Sequence, residues 1–449
     1  MAKSKTLYEC QHCGMQTPRW MGKCTGCGAW DSFMEIKAAP EPKAQRGVAA
    51  SDRVSAGATP ITAVKEDSFI RFATGEQELD RVLGGGVVLG SLVLIGGSPG
   101  VGKSTLLLKI AANLAGSGKK TLYVSAEESG GQIRMRAERI GALDERLLLL
   151  SEINLEAIKA ELLSGAYEAA VIDSIQTLYS EALTAAPGSV SQVREITFEL
   201  MRIAKERQIA LFIIGHITKE GAIAGPRVLE HMVDTVLYFE GDSGGELRIL
   251  RAFKNRFGST SEVGIFEMGQ KGLVSATDVG GRFFSRRENK AGSAATVILE
   301  GTRPLVLEVQ ALVSEAYGNP RRSCTGFDSA RLTMLLALLE KKLDLPFNQY
   351  DVFINIAGGI RVGETAADLA VVAAILSSFR NRPIGEKTVF LGEVSLIGDI
   401  RDVGGLDSRL MEAAQQGFAK AVTPRLPAGG ERGLKCFVTE EVSKVIEWM

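Results

Sequence analysis

The sequence carries almost no surplus charge: 52 lysines and arginines stand against 53 aspartates and glutamates, a formal net charge of −1. Bulk electrostatics therefore gives no argument for a nucleic-acid partner, and any contact with a phosphate backbone has to come from local basic loops. Long hydrophobic runs are also missing. All fall short of the roughly 18 residues that a bilayer span needs, and the first residues show no apolar signal region. A soluble cytoplasmic protein with no membrane contact is expected. Cysteine is scarce, at six in 449 residues, which argues against a disulfide framework. Hydrophobic residues at 45% and charged residues at 23% are ordinary globular usage, so neither a disordered nor a fibrous class applies. The length suggests about two to three domains.

What is present centres on Gly96-Gly97-Ser98-Pro99-Gly100-Val101-Gly102-Lys103-Ser104-Thr105, between an apolar run (Ser91 to Ile95) and an amphipathic one (Leu106 to Leu114). From Gly97 the spacing fits G-x-x-x-x-G-K-[ST], in the strand, glycine loop, helix order that a P-loop requires. Glycines let backbone N–H groups turn inward around phosphate oxygens, and the helix N-terminus adds the positive end of its dipole. Lys103 would reach the β- and γ-phosphates of ATP, and the Ser104 hydroxyl would be a Mg²⁺ ligand.

Cys10-x-x-Cys13 and Cys24-x-x-Cys27 are two short thiol pairs whose spacing suits a closed tetrahedral Zn²⁺ site. His12 is a bystander on this reading, and Gly14, Gly22, Gly26 and Gly28 fall where turns would need unusual backbone angles. Cys324 and Cys436 read as buried small hydrophobes. Trp20 and Trp30 either cover the knuckle or contact a partner. The module is assigned residues 1–35. Residues 36–67, rich in Ala, Pro, Lys and Ser without apolar periodicity, are assigned as a linker.

Residues 68–280 read as the ATPase domain. Thr121 to Ser125 is a short strand leading into Ala126-Glu127-Glu128, and carboxylates at the carboxyl end of such a strand face the ligand crevice. Glu127 is taken as the group that orients or deprotonates the attacking water, with Glu128 as second choice. The basic stretch holding Arg134, Arg136 and Arg139 reads as a solvated face. Ala169 to Asp173 is an apolar strand ending in one acid, a Walker B element with Asp173 holding Mg²⁺ through water. After the strand Ile209 to Ile214, His216 stands where a γ-phosphate sensor would sit, and the glycine-bearing loop from Lys219 to Arg227 is a candidate for DNA phosphates. Lys254 to Gly258 reads as a turn between strands 247–253 and 262–268 with two cations at its tip. Lys254 and Arg256 then either complete a neighbouring subunit's nucleotide site, as an arginine finger does, or meet DNA.

The cysteine pairs, Leu83-Gly84-Gly85-Gly86, Ser125-Ala126-Glu127-Glu128, Val171-Ile172-Asp173-Ser174, Gly215 to Gly221 and Lys254-Asn255-Arg256-Phe257-Gly258 together resemble the bacterial RadA/Sms family of DNA recombination and repair proteins. The resemblance covers nearly the whole chain. It implies an α/β fold with a RecA-like P-loop ATPase core, an N-terminal zinc finger and a C-terminal α+β Lon-protease-like domain. It further implies a hexameric ring, ATP-driven movement on single-stranded and branched DNA during branch migration, and cooperation with the RecA recombinase. Phe257 joins the candidate DNA contacts.

Residues 281–449 look like the Lon protease domain through Leu391-Gly392-Glu393-Val394-Ser395-Leu396-x-Gly398 and Val403-Gly404-Gly405-Leu406. The serine nucleophile of that family falls on Ala366 and its lysine on Asp407, with Thr365 one residue away. Alanine has no nucleophilic atom and a carboxylate cannot replace the lysine, so peptidase activity is not expected. Arg303, Arg321, Arg322 and Arg361 are candidate contacts to duplex DNA. Three classes of function compete: a DNA-stimulated ATPase motor, an ATP-dependent protease, and a non-motor ATP-switch ring.

Overall fold

The structure is a computed structural model and describes residues 6–10, 15–37, 62, 70–215, 227–241, 247–269, 272–276, 290–385, 387–431 and 433–448. The chain divides into two compact units. One holds 1–240, 249–260 and 268–274, and the other 241–248, 261–267 and 275–449. The chain passes between the units several times before it settles in the second. Among the described residues, no helix is long and apolar enough to cross a membrane.

The first unit begins with a three-stranded antiparallel sheet, in which Thr6–Cys10 pairs with Gln16–Thr17 on one side and Phe33–Lys37 on the other. The last strand runs two residues past position 35. Its core is small: Cys10, Cys24 and Phe33, with Tyr8, Met15 and Met21 packed on it. Trp20 and Trp30 are 53% and 71% exposed, so neither covers this core. Of the glycines expected to be strained, Gly28 has φ +77°, whereas Gly22 and Gly26 do not take positive φ; Asp31 instead turns left-handed at φ 48°.

A nine-stranded sheet has six parallel strands in the order Leu147–Ser151, Thr121–Ser125, Ala169–Asp173, Ala210–Ile214, Leu92–Gly97, Thr235–Glu240, next to which antiparallel Leu247–Asn255 is paired. Parallel strands are covered on both faces, which is why their sequences are unbroken apolar runs. Every residue of Leu92–Gly97, Thr121–Ser125, Ala169–Asp173 and Ala210–Ile214 is buried. Helices start where side chains satisfy their first amides. Asn154 accepts from Glu156 and Ala157 at the head of Leu155–Ser164, and Ser189 accepts from Gln192 at the head of Val190–Arg207. This order brings the carboxyl ends of Thr121–Ser125, Ala169–Asp173 and Leu92–Gly97 to one edge, where open α/β sheets bind ligands.

The second unit is built on a seven-stranded mixed sheet, ordered Arg322–Thr325, Tyr350–Ile356, Arg303–Glu315, Ser293–Glu300, Thr388–Phe390, Lys420–Thr423, Lys435–Val438. Asp328 caps the helix Ser329–Leu343, and Asp368–Phe379 is buried along ten of its twelve residues. Both helices join one large apolar cluster with Leu307, Val309 and Ile354 of the sheet. Cys436 lies in the smaller cluster as expected, but Cys324 is only half-buried at an edge strand.

Candidate nucleotide site and metal centre

The loop from Gly97 to Thr105 joins strand Leu92–Gly97 to helix Lys103–Gly116. Two glycines are required sterically. A Cβ on Gly97 would meet the Phe239 carbonyl oxygen at 2.6 Å, and one on Gly102, where φ is +111°, would meet Leu273 Cδ1 at 2.5 Å. Ser98, Pro99 and Gly100 form the exposed tip, while Val101 and Lys103 are buried. The helix start has no side-chain cap and no acidic residue in its first turn. Its amides therefore keep the anion-attracting character of a helix N-terminus.

Lys103 Nζ donates to the carbonyl oxygens of Gly97 at 2.7 Å and Ser98 at 3.0 Å. Burial pushes its pKa down to about 8, against the pull of the Asp173 and Glu127 charges. Asp173 ends its strand with one carboxylate oxygen, Oδ2, accepting from the Tyr123 hydroxyl at 2.7 Å, and the Ser104 hydroxyl also bonds to it. Burial raises its pKa, and the hydrogen bonds from Tyr123 and Ser104 oppose that rise. A hydroxyl and a carboxylate make an all-oxygen donor set, chemistry that suits Mg²⁺.

The adjacent acids have different surroundings. Glu128 forms a salt bridge with Arg136. Arg136 is thus a structural partner rather than part of a solvated basic face. Glu127 is exposed and accepts from the buried Ser174 hydroxyl at Oε1. Sequence reasoning missed Tyr123 and Ser174. Each is a polar side chain inside or just after an apolar strand, and a buried hydroxyl needs a partner.

Lys254 and Asn255 belong to the strand Leu247–Asn255, so the turn begins at Arg256 and Lys254 does not project from its tip. Lys254 Nζ donates to the carbonyls of Glu230 (2.7 Å), His231 (3.3 Å) and Val233 (2.8 Å), at the end of helix Arg227–Met232. Burial, then the neighbouring Arg256 charge, lowers its pKa. Arg256 is about half exposed and donates to Asp234 Oδ1 at 3.0 Å. Asp234 Oδ2 in turn accepts from the amide of Leu92 at 3.1 Å. Phe257 is half-buried, and its carbonyl accepts from Arg71. His216 and Lys219 lie outside the described residues, and of Arg227 only the backbone is described.

In the N-terminal module the sulfurs of Cys10, Cys24 and Cys27 lie within 4.8 Å of one another, and Cys10 Sγ is 3.7 Å from Cys27 Sγ. With Zn–S bonds of about 2.3 Å, the edge of a regular tetrahedron is roughly 3.8 Å. The spacing therefore fits thiolates around one zinc ion and is far longer than a disulfide bond of roughly 2.05 Å. Cys13 lies outside the described residues.

In the second unit Ala366 is buried, and Thr365 donates to Glu393 Oε2 at 2.9 Å. Asp407 accepts from the Gly429 amide at 3.2 Å and lies 3.8 Å from Arg425. Flanking Ala366, Glu364 is clamped by buried Arg409 at 2.5 and 2.7 Å, and Asp368 is paired with Arg331. Ala366 thus sits in the short 3-10 turn Thr365–Ala367 between two ion-paired acids, and Asp407 in the first turn of the helix Leu406–Gln415. Arg303 donates to the Ala276 carbonyl at 3.4 Å, Arg322 lies 3.8 Å from Glu340, and Arg361 is exposed.

Family models match residues 8–35 (rubredoxin metal binding domain), 58–222 (AAA domain) and 332–426 (subunit ChlI of Mg-chelatase). The chain is 60% identical over 449 residues to the DNA repair protein RadA of Campylobacter jejuni, covering 100% of both chains. Identity to the protein of that description from Helicobacter pylori is 56% over 460 positions, again covering 100% of both. For the Bacillus subtilis protein it is 50% over 430 residues, covering 94% of this chain and 93% of that one.

Proposed function

The chain belongs to the RadA family of DNA repair proteins, and on that premise we propose that it is a DNA-stimulated ATPase motor. Its task is branch migration of recombination intermediates, carried out as a hexameric ring on single-stranded and branched DNA together with the RecA recombinase. The observation that supports this reading best is the convergence of Lys103, Ser104, Asp173 and Glu127 at the carboxyl ends of the central strands.

Lys103 and the loop amides of Gly97 to Thr105 bind the β- and γ-phosphates of ATP. Ser104 and Asp173 are the residues that would hold Mg²⁺, which supplies Lewis-acid neutralisation of phosphate charge when bound. Glu127 orients the attacking water and accepts its proton, while Glu128 stays committed to Arg136. His216 senses the γ-phosphate. Arg256 leaves its contact with Asp234 to act on a neighbour's nucleotide, and Lys254 holds the strand that carries it. Lys219, Arg227 and Phe257 contact DNA. Four cysteines bind a structural Zn²⁺, and the Lon-like unit serves assembly and duplex binding rather than proteolysis.

The test is the steady-state ATPase rate with and without single-stranded DNA, for the parent and Arg256→Ala, with DNA affinity measured alongside. A motor requires stimulation of the parent and loss of hydrolysis, with DNA binding retained, in the variant. A rate indifferent to DNA would favour a partner-gated ATP switch.

A further inference from the structure

We propose that Tyr123 is a positioning residue of the nucleotide site, whose phenol fixes the orientation of Asp173 and thereby sets the affinity of the site for its divalent cation. The inference rests on the ATPase reading above. Tyr123 is the middle residue of Thr121–Ser125 and is fully buried. In the parallel register Tyr123 lies beside Val171 and Ser125 beside Asp173. Tyr123 and Asp173 are therefore two positions apart on neighbouring strands and share one face of the sheet. The length of the phenol closes that diagonal, and its hydroxyl meets Oδ2 of Asp173 at 2.7 Å.

A phenylalanine would fill the same space in this apolar strand, so packing does not account for the hydroxyl. The hydroxyl donates to the carboxylate from within the sheet. Ser104 approaches the same carboxylate from the P-loop helix. A cation competes for Ser104, which is itself a ligand candidate, whereas Tyr123 is fully buried inside the sheet. Partners that orient a metal-binding carboxylate typically change metal affinity about 10- to 100-fold when removed.

The experiment uses the full-length chain and the Tyr123→Phe variant, which keeps the ring. Mn²⁺ binding is followed by the loss of its free-ion electron paramagnetic resonance signal in the presence of a non-hydrolysable ATP analogue. Affinity for a fluorescent nucleotide is measured separately in EDTA. Expected for Tyr123→Phe is about tenfold weaker Mn²⁺ binding with unchanged metal-free nucleotide affinity. Because the hydroxyl acts through Asp173, adding Tyr123→Phe to Asp173→Asn should weaken Mn²⁺ binding no further. Mn²⁺ affinity within twofold of the parent would overturn the proposal. So would loss of metal-free nucleotide binding, which would make the hydroxyl a support of the loop, and so would additive effects in the double variant. A parent chain that hydrolysed no ATP would instead overturn the ATPase reading, and a Lys103→Ala chain with near-normal turnover would overturn the assignment of this loop as the nucleotide site; the Mn²⁺ titrations keep these failures apart from that of the Tyr123 proposal.

Discussion

The buried hydroxyl of Ser174 donates to Oε1 of Glu127, joining the residue after Asp173 to the acid that follows the neighbouring strand. One oxygen of Glu127 is thereby held by the protein. The arrangement gives Ser174 an orienting role toward the proposed base, and Glu128 has no equivalent because Arg136 already engages it.

Glu127→Gln should lower kcat by about 100-fold or more while leaving nucleotide binding intact, the range expected for loss of a general base. Ser174→Ala should lower kcat by roughly tenfold without raising KM, because it loosens the base without removing it. Steady-state kinetics on both, with Glu128→Gln in parallel, checks the assignment. A larger loss in the Glu128 variant would exchange the roles of the two acids.

Lys103→Met should abolish hydrolysis without lowering the melting temperature of the nucleotide-free protein. The ammonium is buried and donates to the carbonyls of Gly97 and Ser98 in the loop. Desolvating that charge works against folding, and its return comes only when phosphate is bound. Thermal unfolding with and without nucleotide checks this: a Lys103→Met chain several degrees less stable than the parent would show that the lysine holds the empty loop together.

Chelation of zinc, or Cys10→Ser, should unfold the N-terminal module and leave the melting transition of the ATPase core in place. Among the described residues the module's core cluster is Cys10, Cys24 and Phe33, so metal binding has to supply most of its folding free energy. Hydrogen exchange over residues 6–37, read beside released zinc, is the measurement. Loss of the core transition would contradict an independently folding module.

Glu364→Ala should destabilise the second unit by on the order of 3 kcal/mol, because it leaves the guanidinium of Arg409 buried without its carboxylate. Arg409 would keep only the carbonyls of Val297 and Gly404. Denaturant unfolding of the full chain reports the change. The same variant should show no cleavage of casein, since position 366 still lacks a nucleophile.

By itself, the sequence determined what depends on neighbours along the chain. The glycine spacing and Lys103 mark the loop, because backbone φ and helix start are local properties; Ala169 to Asp173 reads as a buried strand because parallel strands are apolar throughout. The Cys-x-x-Cys pairs announce a metal site for the same reason, and the alanine at 366 and aspartate at 407 speak against a peptidase without any structure. Tertiary structure decided what depends on residues far apart in the chain. Strand order and register bring Tyr123 to Asp173 and Ser174 to Glu127, fifty and forty-seven positions away. A helix face read as solvated supplies Arg136 to Glu128, and Lys254, legible only as a cation in a turn, is drawn onto the carbonyl end of a helix more than twenty residues earlier. Charge and hydroxyl groups are written in the sequence, but the partner each one finds is set by which strands become neighbours. That choice belongs to the packing of the whole sheet.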